Sequence, residues 1–201
     1  TEVPSHGASS KITFCANLHP FIQLSVLDQS TPQRASILDS MNLWINIALD
    51  QLIEAMKRVD IVVINDGEAT MLAKTDNLVE AAKQVQSMAS IPTLIIKKGE
   101  HGVLALHGDA FIALPAYPSD AVVDPTGCGD TFAGTLAACL ASGDGEMSTK
   151  ELREALVHAT VSASFTLEDF GTKGIESISL DAYHDRLTHY CAITGTSIDS
   201  P

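Results

Sequence analysis

The chain has 201 residues, 12 basic against 25 acidic, a formal net charge of −13, and 45% hydrophobic against 18% charged content. That length and apolar content suit one globular domain with a substantial core, and no apolar stretch reaches the roughly 18 residues of a membrane span. The acidity argues against nucleic acid as a partner, because phosphate-backbone binding needs basic patches.

Residues 1–10 are polar and read as loose. Residues 12–16 and 35–38 read as strands, the second ending at Asp39. Apolar residues at Leu43, Trp44, Ile47, Ala48, Leu52, Ala55 and Met56 keep a helical period and predict one helix over 41–58. Residues 61–64 form a continuous apolar run, as a buried parallel strand requires. Helices are expected over 68–72 and 77–90, and another buried strand over 93–96. Gly99 and Gly102 mark a turn into a hairpin of 103–106 with 111–114. A small-residue helix over 131–141 follows. Ser148 and Glu151 then make a capping-box pattern for a helix ending near 167. A last helix is expected over 180–190, with a frayed tail to 201. Strands alternate with helices, which predicts a mostly parallel sheet covered on both faces in a single domain over 1–201. The four cysteines, Cys15, Cys128, Cys139 and Cys191, are scattered without a Cys-x-x-Cys pair. They predict a reduced, cytoplasmic protein without structural zinc.

The densest run of chemistry is Asp124-Pro125-Thr126-Gly127-Cys128-Gly129-Asp130, placed directly before a helix. A helix start carries unpaired N–H groups and partial positive charge, so it can hold an anion. Gly127 and Gly129 remove the side chains that would block close backbone approach. Asp130 sits beside any phosphate held there, which suits a base better than a phosphate ligand. The same helix start is expected to lower the Cys128 thiol pKa. No base for a nucleophilic cysteine is evident, so Cys128 reads as a small packing residue. A dinucleotide fingerprint is excluded because Phe132 stands at its third glycine position, and no P-loop run is present.

This run resembles the second signature of the ribokinase-like (PfkB) carbohydrate kinases, close to Asp-Thr-x-Gly-Ala-Gly-Asp. Both acids, a threonine and both glycines are present, and Cys128 replaces alanine or glycine. The resemblance implies a three-layer α/β/α, ribokinase-like fold with a mostly parallel sheet. It implies ATP-dependent phosphotransfer to the hydroxyl of a sugar or nucleoside, with Asp130 as base and the N–H groups of Gly127, Cys128 and Gly129 stabilising developing charge. It places Asp124 and Thr126 at the positions of a potassium site.

Further motifs each carry two readings. Asn65 and Glu68 follow a strand, where α/β sheets bind ligands. Their spacing matches the family's Asn-x-x-Glu element, which acts near magnesium through water and near the phosphates; a turn with a helix cap is the alternative. Asp39 and Asn42, in a Met-Asn-Leu-Trp context like that of bacterial sugar kinases, approach substrate or the transferred phosphate, or Asp39 is a helix N-cap. Trp44 reads as core rather than substrate platform. Lys97, Gly99 and Gly102 fall where the family has Thr-x-Gly-x-x-Gly near the nucleotide, with Lys97 replacing threonine. They either contact the nucleotide or are a solvated lysine and turn glycines. His158 is a nucleotide-contact candidate or a solvated helix histidine. The stretch from Ala163 through Glu168 to Gly171 lies where the family closes over adenine and helps form a monovalent-cation site.

The resemblance covers only the later part of the family pattern, so an N-terminal segment bearing most acceptor contacts is expected to be missing. That would leave a sheet edge unpaired and favour association with another chain, a homo-oligomer included. The rival to a kinase is a truncated, non-catalytic remnant serving as a nucleotide-binding or oligomerisation module.

Overall fold

The β-branched runs become strands buried on both faces, as a parallel sheet requires. In the computed structural model, which describes residues 2–198, they are β1 (Ile12–Cys15), β2 (Ala35–Asp39), β3 (Ile61–Asn65) and β4 (Thr93–Lys97). These four pair in parallel and in chain order, with Ile12 beside Ala35, Ile37 beside Ile61, and Ile61 beside Thr93. Strands β5 (Val103–His107) and β6 (Ala110–Leu114) complete a mixed six-stranded sheet in the order β1-β2-β3-β4-β5-β6. Residue 1 and residues 199–201, the end of the tail expected to fray, lie outside the described residues.

The chain divides into two units. The first comprises Thr1–Lys98, Leu104–Ile112 and Asp144–Glu146. It holds most of the sheet with α1 (Pro20–Gln29), α2 (Asn42–Ile47), α3 (Leu49–Met56), α4 (Asp66–Ala73) and α5 (Leu78–Ala89). Leu38, Val62, Ile64, Leu94 and Ile96 of the sheet pack with Leu52 and Met56 of α3, Leu72 of α4 and Val85 of α5 in one continuous core. Each fully buried side chain of this size contributes about 1.5–3 kcal/mol relative to exposure. Because β1 to β4 run in parallel, their carboxyl ends, Cys15, Asp39, Asn65 and Lys97, lie along the same edge of the sheet.

Three features of this unit depart from the sequence reading. The helix expected over 41–58 is two helices, broken where Ala48 leaves the helical region at φ −147°, ψ 36°. Ile45 and Leu52, both buried, are about two turns apart, so the apolar period runs through the break and does not mark it. Helix α1 was not expected. Of its residues, only Pro20, Gln23 and Leu27 are buried, and the polar Gln23 occupies the place an apolar pattern needs. The opening residues are not loose: Val3 N–H donates to Gln29 Oε1, Thr31 N–H to Ala8 O at 2.6 Å and Gln33 N–H to Ser10 O at 2.9 Å.

The second unit comprises Gly99–Val103, Ala113–Gly143 and Met147–Pro201. It is built on α6 (Cys128–Ser142), α7 (Thr149–Thr166), α8 (Lys173–Glu176) and α9 (Leu180–Thr194). Helix α6 packs along α7, which also contacts α8 and α9. Ser148 Oγ accepts from Glu151 N–H at 3.1 Å, capping α7 as its sequence pattern predicts. Helix α8 was not expected, and α9 runs four residues past its predicted end. Tyr190 of α9 is fully buried, and its hydroxyl donates to Pro115 O at 2.7 Å.

Candidate functional site

In the first unit, the strand ends bring together Asp39, Asn65, Glu68 and Lys97. Asn65 and Glu68 close a full capping box on α4: Asn65 Oδ1 accepts from Glu68 N–H at 2.8 Å, and Glu68 Oε2 accepts from Asn65 N–H at 3.0 Å. Asn65 Nδ2 adds a bond to Glu68 Oε1 at 2.9 Å. The cap alternative is thus realised, yet it does not exhaust the chemistry. Glu68 is only 3% exposed. Burial drives its pKa up to about 7; the Asn65 N–H opposes, the charge of Asp39 adds, and Lys97 and the Asn42 N–H oppose. Asp39 is 5% exposed and pairs with Lys97 Nζ at 3.3 Å.

Asp39 is not a helix N-cap. Its Oδ1 accepts from Ser40 N–H at 3.0 Å, and the N-cap of α2 is Met41, without a side-chain bond. Lys97 is not a solvated lysine, since it neutralises Asp39. Asn42 is exposed at the start of α2. Trp44 packs against the core and donates from Nε1 to Asn17 Oδ1 at 2.8 Å. Sequence reasoning missed Gln23, which is 1% exposed. Its Nε2 donates to Ala16 O and Asp39 O, both at 2.9 Å, and to Cys15 O at 3.3 Å, bracing the ends of β1 and β2. No motif announces such a role.

In the second unit, the glycine run makes a turn directly into α6. Gly127 is the N-cap at φ +86°, ψ −9°, a left-handed conformation that favours glycine, and no side chain caps the helix. Gly129 and Asp130 stand in the first turn, where N–H groups lack intrahelical partners. Asp130 is exposed. Of the three N–H groups expected to act together, that of Cys128 donates to Pro125 O at 3.2 Å, so those of Gly127 and Gly129 remain the candidates. Asp124 Oδ1 accepts from Thr126 N–H at 3.0 Å; this bond, with the Thr126 hydroxyl, holds its carboxyl below the usual range. The expected lowering of the Cys128 thiol is reversed: burial, followed by the charge of Asp124, pushes it up, and its own N–H only opposes.

The remaining candidates of this unit have the following surroundings. Gly102 sits at φ +85°, and a Cβ there would run into the backbone of Leu114, Pro115 and Ala116. Gly99 opens a 3₁₀ turn, Gly99–His101, with open space around it. His158 is not solvated: its Nδ1 shares a 2.7 Å hydrogen bond with the Tyr183 hydroxyl, and the two rings stack. Burial lowers its pKa, while Glu154 opposes. Among the described residues, no group of three or more His, Cys, Asp or Glu is placed to hold a metal.

The chain is 31% identical over 141 residues to the cytidine kinase of Thermococcus kodakarensis, covering 68% of this chain and 50% of that protein. It thus spans about half the length of that curated relative. Its fold is that of the ribokinase of Thermotoga maritima (TM-score 0.70, 22% identity, 91% of this chain and 58% of that one). It is likewise that of the Vibrio cholerae fructokinase solved with fructose, ADP and calcium ion (TM-score 0.76, 16% identity, 92% and 63%). The α/β, ribokinase-like class read from the sequence is therefore the observed one. The sequence matches the pfkB family carbohydrate kinases over residues 26–178, a stretch that includes both the strand-end acids and the glycine run, and the chain belongs to that family.

Proposed function

We propose that the chain carries the chemistry of an ATP-dependent phosphotransferase acting on the hydroxyl of a sugar or nucleoside. The observation that carries this reading is the uncapped start of α6, with Gly127 left-handed and Asp130 exposed on the first turn. Asp130 takes the proton of the acceptor hydroxyl as its oxygen bonds to the γ-phosphorus, and ADP leaves with the electron pair of the broken bond. The N–H groups of Gly127 and Gly129 stabilise charge on the transferring group. Magnesium, when bound, neutralises phosphate oxygens, and Asn65 and Glu68 are the residues that would hold it through water. Asp124 and Thr126 are the proposed potassium position. Lys97, Gly99, Gly102 and His158 are assigned to nucleotide contact, and Asp39 and Asn42 to substrate. Lys97 would meet the nucleotide from its ion pair with Asp39. The similarity to a cytidine kinase favours a nucleoside acceptor.

The test is thermal unfolding with and without Mg·ATP, with Asp130→Asn in parallel. A ligand at 100 times its dissociation constant adds about 2.7 kcal/mol, a shift of several degrees. Both proteins should shift, and only the wild type should transfer phosphate to an acceptor. Transfer by Asp130→Asn sinks the base assignment. No shift in either protein sinks the nucleotide reading.

A further inference from the structure

Residues 115–125 contain no helix or strand, so the path of the chain into the glycine run is set by tethers. Three consecutive residues at the end of α7 supply them. Thr166 Oγ1 shares a 2.8 Å hydrogen bond with Thr131 Oγ1. Leu167 O accepts from the N–H groups of Val123 at 3.0 Å and Asp124 at 3.2 Å. Glu168 Oε1 accepts from Ser119 Oγ at 2.6 Å. The tethers therefore fall on both sides of Gly127-Cys128-Gly129.

Glu168 is itself fixed from α9. Its Oε2 accepts from Arg186 Nη2 at 2.8 Å, and Arg186 Nη1 donates to Ser164 Oγ at 3.0 Å. The guanidinium lies over the Phe165 ring, 3.6 Å from its centroid, and over the Tyr117 ring at 4.8 Å. Tyr117 is two residues before Ser119, so the stack and the carboxylate link act on the same stretch of chain. Two donors and two ring faces use the planar guanidinium in ways an ammonium cannot reproduce.

We propose that Arg186 and Glu168 are positioning residues for the glycine run: the pair holds Ser119 and, with Thr166 and Leu167, fixes the path of 119–131 on which Gly127 and Asp130 are presented. Its consequence for catalysis rests on the phosphotransferase reading, because misplacing a transferring group by about 1 Å can cost on the order of a hundredfold in rate. Its geometric content does not rest on that reading.

The experiment measures amide hydrogen exchange of the unliganded chain for the wild type, Ser119→Ala, Glu168→Gln, Arg186→Lys and the Ser119→Ala/Glu168→Gln double variant. Ser119→Ala removes one tether and spares the packing of α7 on α9. Exchange over 119–131 should rise roughly tenfold in each single variant, the scale of one hydrogen bond to a charged group, while β2 to β4 stay unchanged. Apart from the Ala121 amide, whose N–H also donates to Ser119 Oγ at 3.2 Å and which is left out of the comparison, the double variant should exchange no faster than Glu168→Gln, because both changes break one link. A lowered unfolding midpoint with unchanged exchange over 119–131 overturns the proposal, as does an additive double variant. Mg·ATP affinity is measured alongside. A similar loss in Ser119→Ala supports the positioning role, and unchanged affinity despite faster exchange overturns its link to binding. A wild type that binds no Mg·ATP sinks the phosphotransferase reading, and the exchange data then decide the positioning role alone.

Discussion

Replacing Glu68 with glutamine should stabilise the chain above neutral pH. Burial first, and then the neighbouring Asp39 charge among weaker opposing influences, raises the Glu68 pKa from its ordinary 4.5 to about 7. The folded chain therefore holds this proton more tightly than the unfolded chain. The stability it contributes is complete below pH 4.5 and is lost progressively as pH rises through about 7. The difference between the two values corresponds to about 3 kcal/mol, and each kcal/mol moves the midpoint of a chain this size by about 2–4 °C. Glutamine is isosteric with the protonated acid and carries no charge to desolvate; its Oε1 can keep the capping-box bond from Asn65 N–H, while its Nε2 gives up the bond from Asn65 Nδ2. Thermal unfolding of wild type and variant from pH 4.5 to 8, at fixed ionic strength, should give similar midpoints at the acid end. At pH 8 the variant should lie several degrees higher. Parallel curves across the range, or a wild type that gains on the variant with rising pH, would refute the reasoning.

Lys97→Met should destabilise the chain by about 3 kcal/mol, because it leaves Asp39, 5% exposed, without its ammonium partner. Urea unfolding checks the magnitude, and the pH dependence of the same variant should move upward, since Lys97 lowers the Glu68 pKa. Gly102→Ala should cost well over 2 kcal/mol, combining a left-handed backbone with a collision against Leu114 and Pro115. Gly99→Ala, at φ +54° with open space around it, should cost only about 1 kcal/mol. Equal losses in the two glycine variants, read by chemical denaturation, would contradict the close approach at Gly102.

The strands were legible because Ile61 to Ile64 and their counterparts are apolar on both faces, a pattern only a doubly covered strand needs. The glycine run was legible because it must be local: a turn and a helix start take their residues in sequence. What was not legible depends on distant partners. The pairing of Lys97 with Asp39 joins residues 58 positions apart, and Gln23 braces carbonyls on two strands. The Cys128 thiol was misread because the helix start was weighed and the burial and Asp124 charge were not. The end of α7 was marked only by its resemblance to the family's adenine-closing region; its tethers gave no signal, since Thr166, Leu167 and Glu168 differ in type and act through a hydroxyl, a carbonyl and a carboxylate.

The strand-end acids are buried where they cost the fold stability. Capping α4 requires only the Asn65 side chain, and an exposed acid at the third helical position would complete the box. Instead Glu68 is buried beside a second buried acid, Asp39, and is held near half-protonation at neutral pH. Desolvating two neighbouring acids costs stability, and apolar residues of similar volume would be neutral or better there. Lys97 offsets the charge of one acid. The start of α6 is likewise left without a side-chain cap, because Gly127 is held in a left-handed conformation and not in the extended one from which serine, asparagine or aspartate caps a helix.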